Sequence, residues 1–101
     1  TQTKNITMGQ KNALRSALQY LNTMAFSKSG LIDQLEYEGY STEEATYAVE
    51  NCGADWNEQA AKSAQNYINT MSFSRSGLID QLIYEGFTRE QAEYGVSAVG
   101  Y

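Results

Sequence analysis

Apolar residues recur at steps of three and four along two long segments of the chain. In the earlier segment, one helical face carries Leu14, Ala17, Leu18, Leu21 and Met24. Because an α-helix repeats every 3.6 residues, this spacing predicts a helix that buries that face. We therefore predict one helix over about 8–24 and, in the later segment, another over about 56–71.

Two shorter apolar stretches follow each long segment. They predict helices over about 28–38 and 42–52 in the first half, and over about 75–85 and 89–99 in the second. In the helix predicted over about 42–52, the expected buried stripe is Ala45, Ala48, Val49 and Cys52. The sequence contains no proline, which suits uninterrupted helices.

Local capping signals mark the ends of these segments. Each of the six predicted helices is preceded by a residue that favours a helix N-terminus: Thr7, Ser27, Ser41, Asp55, Ser74 and Thr88. Positions 7, 41, 55 and 88 are followed three residues later by Gln or Glu, which is the spacing of a capping box. Gly39 and Gly86 are placed to end the second helices in a left-handed conformation, and Gly53 and Gly100 to end the third.

The sequence repeats itself after 47 positions. Ser27–Leu35 matches Ser74–Leu82 with a single exchange of Lys for Arg. A period of this length is typical of helical repeats. We predict an all-α fold of two tandem three-helix repeats, in each of which a short turn joins the last two helices as in a helix-turn-helix. The expected division is 1–53, an N-terminal segment plus the first repeat, and 54–101, the second repeat.

Charge narrows the choice of partner. The chain has 101 residues and a net charge of −5, and both repeats are acidic. An acidic protein disfavours nucleic acid and anionic lipid, since both are polyanions, and favours a basic partner. A cytosolic helix-turn-helix regulator remains an alternative. However, Glu43 and Glu44 stand at the start of the helix that would enter DNA, where carboxylates repel phosphate.

The side chains present give little support to catalysis. Histidine is absent, so neither a Ser–His nor a Cys–His nucleophile pair exists. The lone Cys52 aligns with Val99 of the second repeat, which favours a small buried apolar residue over a reactive thiol. We predict a non-enzymatic binding protein without catalytic residues, cofactor or metal site. We also expect Trp56, at the point where the repeats join, to be largely buried.

An acidic surface is the candidate binding site. Carboxylates in the first turn of a helix are explained by capping and by the helix dipole, but several others lie elsewhere. Asp33 and Tyr37 are four residues apart and share a helical face directed away from the core. With their counterparts in the second repeat, the predicted partner-binding residues are Asp33, Glu36, Tyr37, Glu38, Glu50, Asp80, Tyr84, Glu85 and Glu93. The same face is also a candidate for packing between the repeats.

The repeated pattern resembles a known family. The motif Met-x-Phe-Ser-x-Ser-Gly-Leu-Ile-Asp-Gln-Leu occurs at Met24–Leu35 and again at Met71–Leu82. Together with the Glu-Gly-(Tyr/Phe) turn and the Glu-x-Ala-x-Tyr-x-Val stretch that follow, it resembles the Ltp family of host-cell-surface lipoproteins. The resemblance covers about residues 8–101. It supplies no site motif that can be transferred residue by residue.

The resemblance implies a role that composition does not reach. Such proteins are made from a prophage and anchored by lipid on the outer face of a Gram-positive cell membrane. There they block DNA injection by incoming phage, and the implied partner is a basic segment of the phage tape-measure protein. The sequence begins Thr1-Gln2-Thr3, without a signal peptide or a lipid-bearing cysteine, so we expect a soluble fragment of a longer protein. Contact with a membrane is then expected only through the lipid anchor, and Cys52 is not the lipidated residue. A purely structural module of a larger surface protein is a third hypothesis.

Overall fold

Six α-helices make up the structure, a computed structural model that describes residues 5–101. No strand occurs within these residues, and the first four residues of the predicted N-terminal segment, with Lys4, lie outside them. The helices are α1 (Met8–Thr23), α2 (Lys28–Tyr37), α3 (Thr42–Asn51), α4 (Trp56–Thr70), α5 (Arg75–Tyr84) and α6 (Arg89–Ala98). This confirms the predicted fold class, and each predicted helix agrees with its observed bounds to within one residue.

The helix starts follow the capping signals, with one exception. At Thr7, Ser41 and Thr88 the side chain and the residue three positions later exchange both hydrogen bonds of a capping box. At Asp55 the carboxylate accepts the backbone N–H groups of Asn57 and Glu58, but no return bond from the Glu58 side chain forms. The predicted capping box there is therefore wrong. Asp55 has a ψ of 108°, against 162° at Thr7, so the chain enters α4 in a different direction.

Glycines end the second helix of each repeat as predicted. Gly39 and Gly86 have φ values of 107° and 109°, which residues with a Cβ rarely adopt. The Tyr40 N–H donates to the Leu35 carbonyl at 3.2 Å, and the Phe87 N–H to the Leu82 carbonyl at 3.1 Å. These are the long hydrogen bonds of Schellman motifs, which turn the chain sharply into α3 and α6.

Each repeat has its own apolar core. In the first repeat α1 packs mainly against α3, and in the second α4 packs mainly against α6, with α2 and α5 closing the third side. The first core consists of Ala13, Ala17, Leu31, Leu35, Ala45, Ala48 and Val49. The second consists of Ala60, Ala64, Leu78, Ile79, Leu82, Phe87, Ala92 and Val96. Alanine at the contacts lets the helix axes approach closely, which compensates for the short helices.

Several expected core positions are less buried than predicted, and Leu14, Leu21 and Cys52 are only partly buried. Leu18 and Met24 remain 47% and 53% exposed, because a three-helix unit covers only the narrow side of α1 that carries Ala13 and Ala17. Trp56 is only partly buried, although we expected it to be largely buried. It is the first residue of α4, yet it packs against the core of the first repeat. Its ring covers one edge of that core instead of entering the centre of either.

The repeats meet through the connection between α1 and α2. The Ser27 side chain is buried, and its hydroxyl donates to the Glu85 carbonyl at 2.6 Å while accepting the Gly30 N–H. Two residues later the Ser29 hydroxyl donates to the Gly86 carbonyl at 3.3 Å. This contact places the C-terminal end of α5 against the N-terminus of α2. Among residues 5–101, no helix is both long enough and apolar enough to cross a membrane.

Candidate partner-binding surface

The most exposed aromatic side chains of the described chain lie at equivalent places in the two repeats. Tyr37 ends α2 and Tyr84 ends α5, and each is 86% exposed. One turn earlier in each helix lies an exposed aspartate, Asp33 in α2 and Asp80 in α5. Because the opposite faces of these helices carry the buried leucines of the core, the Asp–Tyr pairs point towards solvent, as predicted. Exposed tyrosines beside carboxylates are well suited to contact a partner.

The acids of the first repeat are largely free. Glu38 and Glu50 are exposed, and neither carboxylate takes part in a hydrogen bond or ion pair with the described residues. Glu36 is partly buried and accepts a hydrogen bond from the Thr42 hydroxyl, which links α2 to the start of α3. Glu36 therefore braces the turn in addition to contributing negative charge. The first repeat presents Asp33, Tyr37 and Glu38 close together around the C-terminal part of α2.

The corresponding acids of the second repeat are partly used within the molecule. Glu85 is half-buried where the repeats meet, and this burial raises the pKa of its carboxyl, while a hydrogen bond from Ser63 lowers it. Glu93 forms an ion pair with Arg89, four residues earlier in α6, at 3.6 Å. Ile83 and Ser97 stand where the first repeat has Glu36 and Glu50. Within the predicted set, Asp33–Tyr37 and Asp80–Tyr84 are thus exposed at equivalent places of the two repeats, and the first repeat carries more acids without an internal partner.

The junction contains functional contacts that sequence reasoning missed. Gln59 is buried, and its amide oxygen accepts the backbone N–H of Phe26 at 3.0 Å. Its counterpart in the first repeat is the exposed Asn12. The sequence signal for this contact was the exchange of Asn12 for the longer Gln59 between the two repeats. Ser27 gave no such signal, because Ser74 has the same local sequence.

The described part of the chain gives little support to a metal site, a reactive thiol or a DNA-reading helix. No group of three or more His, Cys, Asp and Glu side chains within residues 5–101 is arranged to hold a metal ion. Cys52 is partly buried, and its thiol donates to the Val49 carbonyl at 3.2 Å, which is a packing role. The first turn of α3 carries Glu43 and Glu44, where a DNA-reading helix would present cations, whereas α6 begins with Arg89 followed by Glu90.

Comparison with known proteins gives the repeats a family. The sequence model of a family described as "Host cell surface-exposed lipoprotein" matches residues 9–52 and, separately, residues 55–99. The two matches coincide with α1–α3 and α4–α6. The chain belongs to this family. Membership confirms the resemblance inferred from the repeated motif, and it places this surface lipoprotein on the outside of the host cell, as predicted.

A solved structure closely similar to this surface lipoprotein is that of Ltp, a superinfection exclusion protein from the Streptococcus thermophilus temperate phage TP-J34. The two sequences are 38% identical, and the superposition has a TM-score of 0.86. It covers 92% of this chain and 97% of Ltp, so the likeness includes both repeats. A search of curated proteins gives no match. Neither the family description nor the description of Ltp names a reaction.

Proposed function

We propose that the protein protects its host cell from superinfecting phage by binding a phage protein during DNA injection. The observation that supports this role most strongly is the likeness to Ltp, which extends over 92% of the chain at 38% identity. A surface lipoprotein stands where an incoming phage must pass. The proposed partner is a basic segment of the tape-measure protein, which would leave the phage tail during injection.

Charge supports a basic partner. Each repeat carries six acidic side chains against three basic ones, so negative potential extends along the whole molecule. In our proposal the contact is made by the Asp33–Tyr37 pair and its counterpart Asp80–Tyr84, with Glu38 adding charge at the end of α2. The tyrosine rings supply apolar area that needs little side-chain ordering. The carboxylates supply the attraction that steers a basic segment to the surface.

The binding mechanism is tested by titration calorimetry with basic peptides from the tape-measure protein of a sensitive phage. We expect affinity to fall from low to physiological salt, because exposed charges are screened beyond about 8 Å at physiological ionic strength. Charge reversal by Asp33→Lys and Asp80→Lys together should weaken binding more than either change alone, since both repeats engage one partner.

A matched control is Glu58→Lys, which makes the same change of charge at an exposed acid outside the predicted surface. This variant should lose much less affinity than Asp33→Lys or Asp80→Lys alone, each of which changes the net charge by the same amount, and circular dichroism should show equal helix content for all of them. Binding that responds neither to salt nor to the Asp33 and Asp80 substitutions would reject the acidic-surface mechanism. Tight binding of duplex DNA would instead favour the regulator hypothesis.

A further inference from the structure

The two repeats carry equivalent grooves, and one repeat docks on the other beside one of them. In the second repeat this groove lies between α4 and the end of α5, and Ala25 of the first repeat sits at its edge. It is lined by Ser63, Asn66, Tyr67, Thr70 and Glu85. We call it the second groove. The segment Phe26–Ser29 passes beside this groove, where the Ser27 hydroxyl donates to the Glu85 carbonyl and the Ser29 hydroxyl to the Gly86 carbonyl at the end of α5.

Within the described residues, no segment docks beside the equivalent groove of the first repeat. This first groove is lined by Ser16, Gln19, Tyr20, Thr23 and Glu38, the exact counterparts of the five residues above after a shift of 47 positions. The difference is clearest at the glycines. A Cβ on Gly86 would lie 2.2 Å from the Ser29 hydroxyl and 2.6 Å from the Ser27 hydroxyl, whereas a Cβ on Gly39 would meet nothing within 4 Å.

The second repeat carries an unused copy of the docking segment. Phe73–Ser76 reads Phe-Ser-Arg-Ser, against Phe-Ser-Lys-Ser at Phe26–Ser29. Ser74 and Ser76 are exposed, whereas Ser27 is buried at the junction. The Ser74 hydroxyl accepts the Gly77 N–H, as Ser27 does with Gly30, but it has no carbonyl of another repeat to donate to. The chain thus exposes an open groove at one end and, at the other, a second copy of the docking segment, in which the Phe73 carbonyl accepts the Tyr101 hydroxyl.

We propose that a second copy of the chain docks its Phe73–Ser76 segment beside the first groove, against the C-terminal end of α2. Ser74 of that copy donates to the Glu38 carbonyl, and Ser76 donates to the Gly39 carbonyl, which repeats the contact that joins the two halves of one chain. The interface is heterologous, because groove and segment belong to different surfaces. Copies therefore add head to tail in an open series instead of closing into a dimer.

The contact between copies is weaker than the one within the chain. The first repeat has the exposed Asn12 where Gln59 holds the Phe26 N–H, and Gly9 where Trp56 packs on the preceding core. The contact between copies also lacks the covalent connection, which gives linked partners an effective concentration on the order of millimolar. We expect an apparent dissociation constant of about 0.1–1 mM, in the range where tethering to one membrane surface brings copies together.

Nuclear magnetic resonance of the ¹⁵N-labelled chain over a concentration series tests this proposal. Amide signals of residues 38–40 and of residues 73–76 should shift together as concentration rises, and both sets should fit one dissociation constant. Gly39→Asn puts a side chain where the docking serines would lie, so it should abolish both sets of shifts. Gly53→Asn is the matched control, since Gly53 also has a positive φ and open space around it but lies outside the groove. It should leave the shifts unchanged.

A second variant keeps the test independent of how Gly39→Asn folds. Ser74→Ala removes the proposed donor without touching the groove and should weaken association several-fold. The proposal is overturned if no shifts appear up to about 1 mM, or if they persist in both Gly39→Asn and Ser74→Ala. It is also overturned if residues 38–40 respond only to a basic phage peptide, in which case the groove belongs to the phage partner. The proposed exclusion role does not depend on self-association, so it would survive such a result.

Discussion

Replacing Ser27 by Ala, with Ser74→Ala as the reference, measures how strongly the two repeats stabilise each other. Both hydroxyls accept a backbone N–H at a helix start, at 2.9 Å for Ser27 and 3.0 Å for Ser74. Losing such a cap typically costs about 1 kcal/mol. The buried Ser27 hydroxyl also donates to the Glu85 carbonyl at 2.6 Å. Leaving a buried carbonyl without its donor costs about 1–3 kcal/mol more.

We therefore expect Ser27→Ala to lower the free energy of unfolding by about 2–4 kcal/mol and Ser74→Ala by only about 1 kcal/mol. Urea unfolding followed by circular dichroism gives both values, and the Trp56 fluorescence reports separately on the edge of the first core. In a thermal melt each kcal/mol corresponds to about 4–8 °C for a domain of this size. Equal losses in the two variants would refute the reasoning, because the hydrogen bond to Glu85 would then contribute nothing to the junction.

Three other substitutions probe the same region. Gly86→Ala should destabilise the protein by at least about 1 kcal/mol more than Gly39→Ala in urea unfolding, since both strain a positive φ but only the former overpacks the junction; equal effects would contradict this. Burial raises the pKa of Glu85 in the folded state, so its contribution to stability is complete below its unfolded pKa and is lost as pH rises through the folded pKa. Glu85→Gln should accordingly stabilise the protein at neutral pH, and this advantage over the parent should vanish near pH 4 in a series of melts; a constant difference across pH would exclude titration as its cause. Trp56→Ala should cost about 2–3 kcal/mol, less than a fully buried Trp, and an unchanged melting temperature would show that its packing on the first core is unimportant.

Local sequence signals were sufficient to predict the helices. Each start has a side chain able to cap it, and a glycine with positive φ follows α2, α3, α5 and α6. These devices act over three to five residues, so they can be read without knowledge of the tertiary structure. The exception at Asp55 is informative, because there the direction of the chain depends on how one repeat leads into the next.

The junction could not be predicted in the same way. Ser27 and Ser74 share their local sequence, as do Glu38 and Glu85, yet only Ser27 is buried and only Glu85 is half-buried between the repeats. The difference arises because the Ser27 and Ser29 hydroxyls in the α1–α2 connection donate to the carbonyls at the end of α5, and within the described residues the end of α2 has no such neighbour. Local patterns likewise identified the exposed Asp–Tyr pairs but not the burial of Glu85, which depends on contacts 58 residues apart in the chain.

Entry of phage DNA into cells that display the lipid-anchored, full-length protein tests the central claim most directly. Labelled phage should adsorb to these cells as well as to cells without the protein, while the amount of phage DNA that reaches the cytoplasm should fall sharply. Display of the variant carrying Asp33→Lys and Asp80→Lys should restore entry, provided that surface levels are equal. DNA entry that is the same with and without the displayed protein would contradict the account.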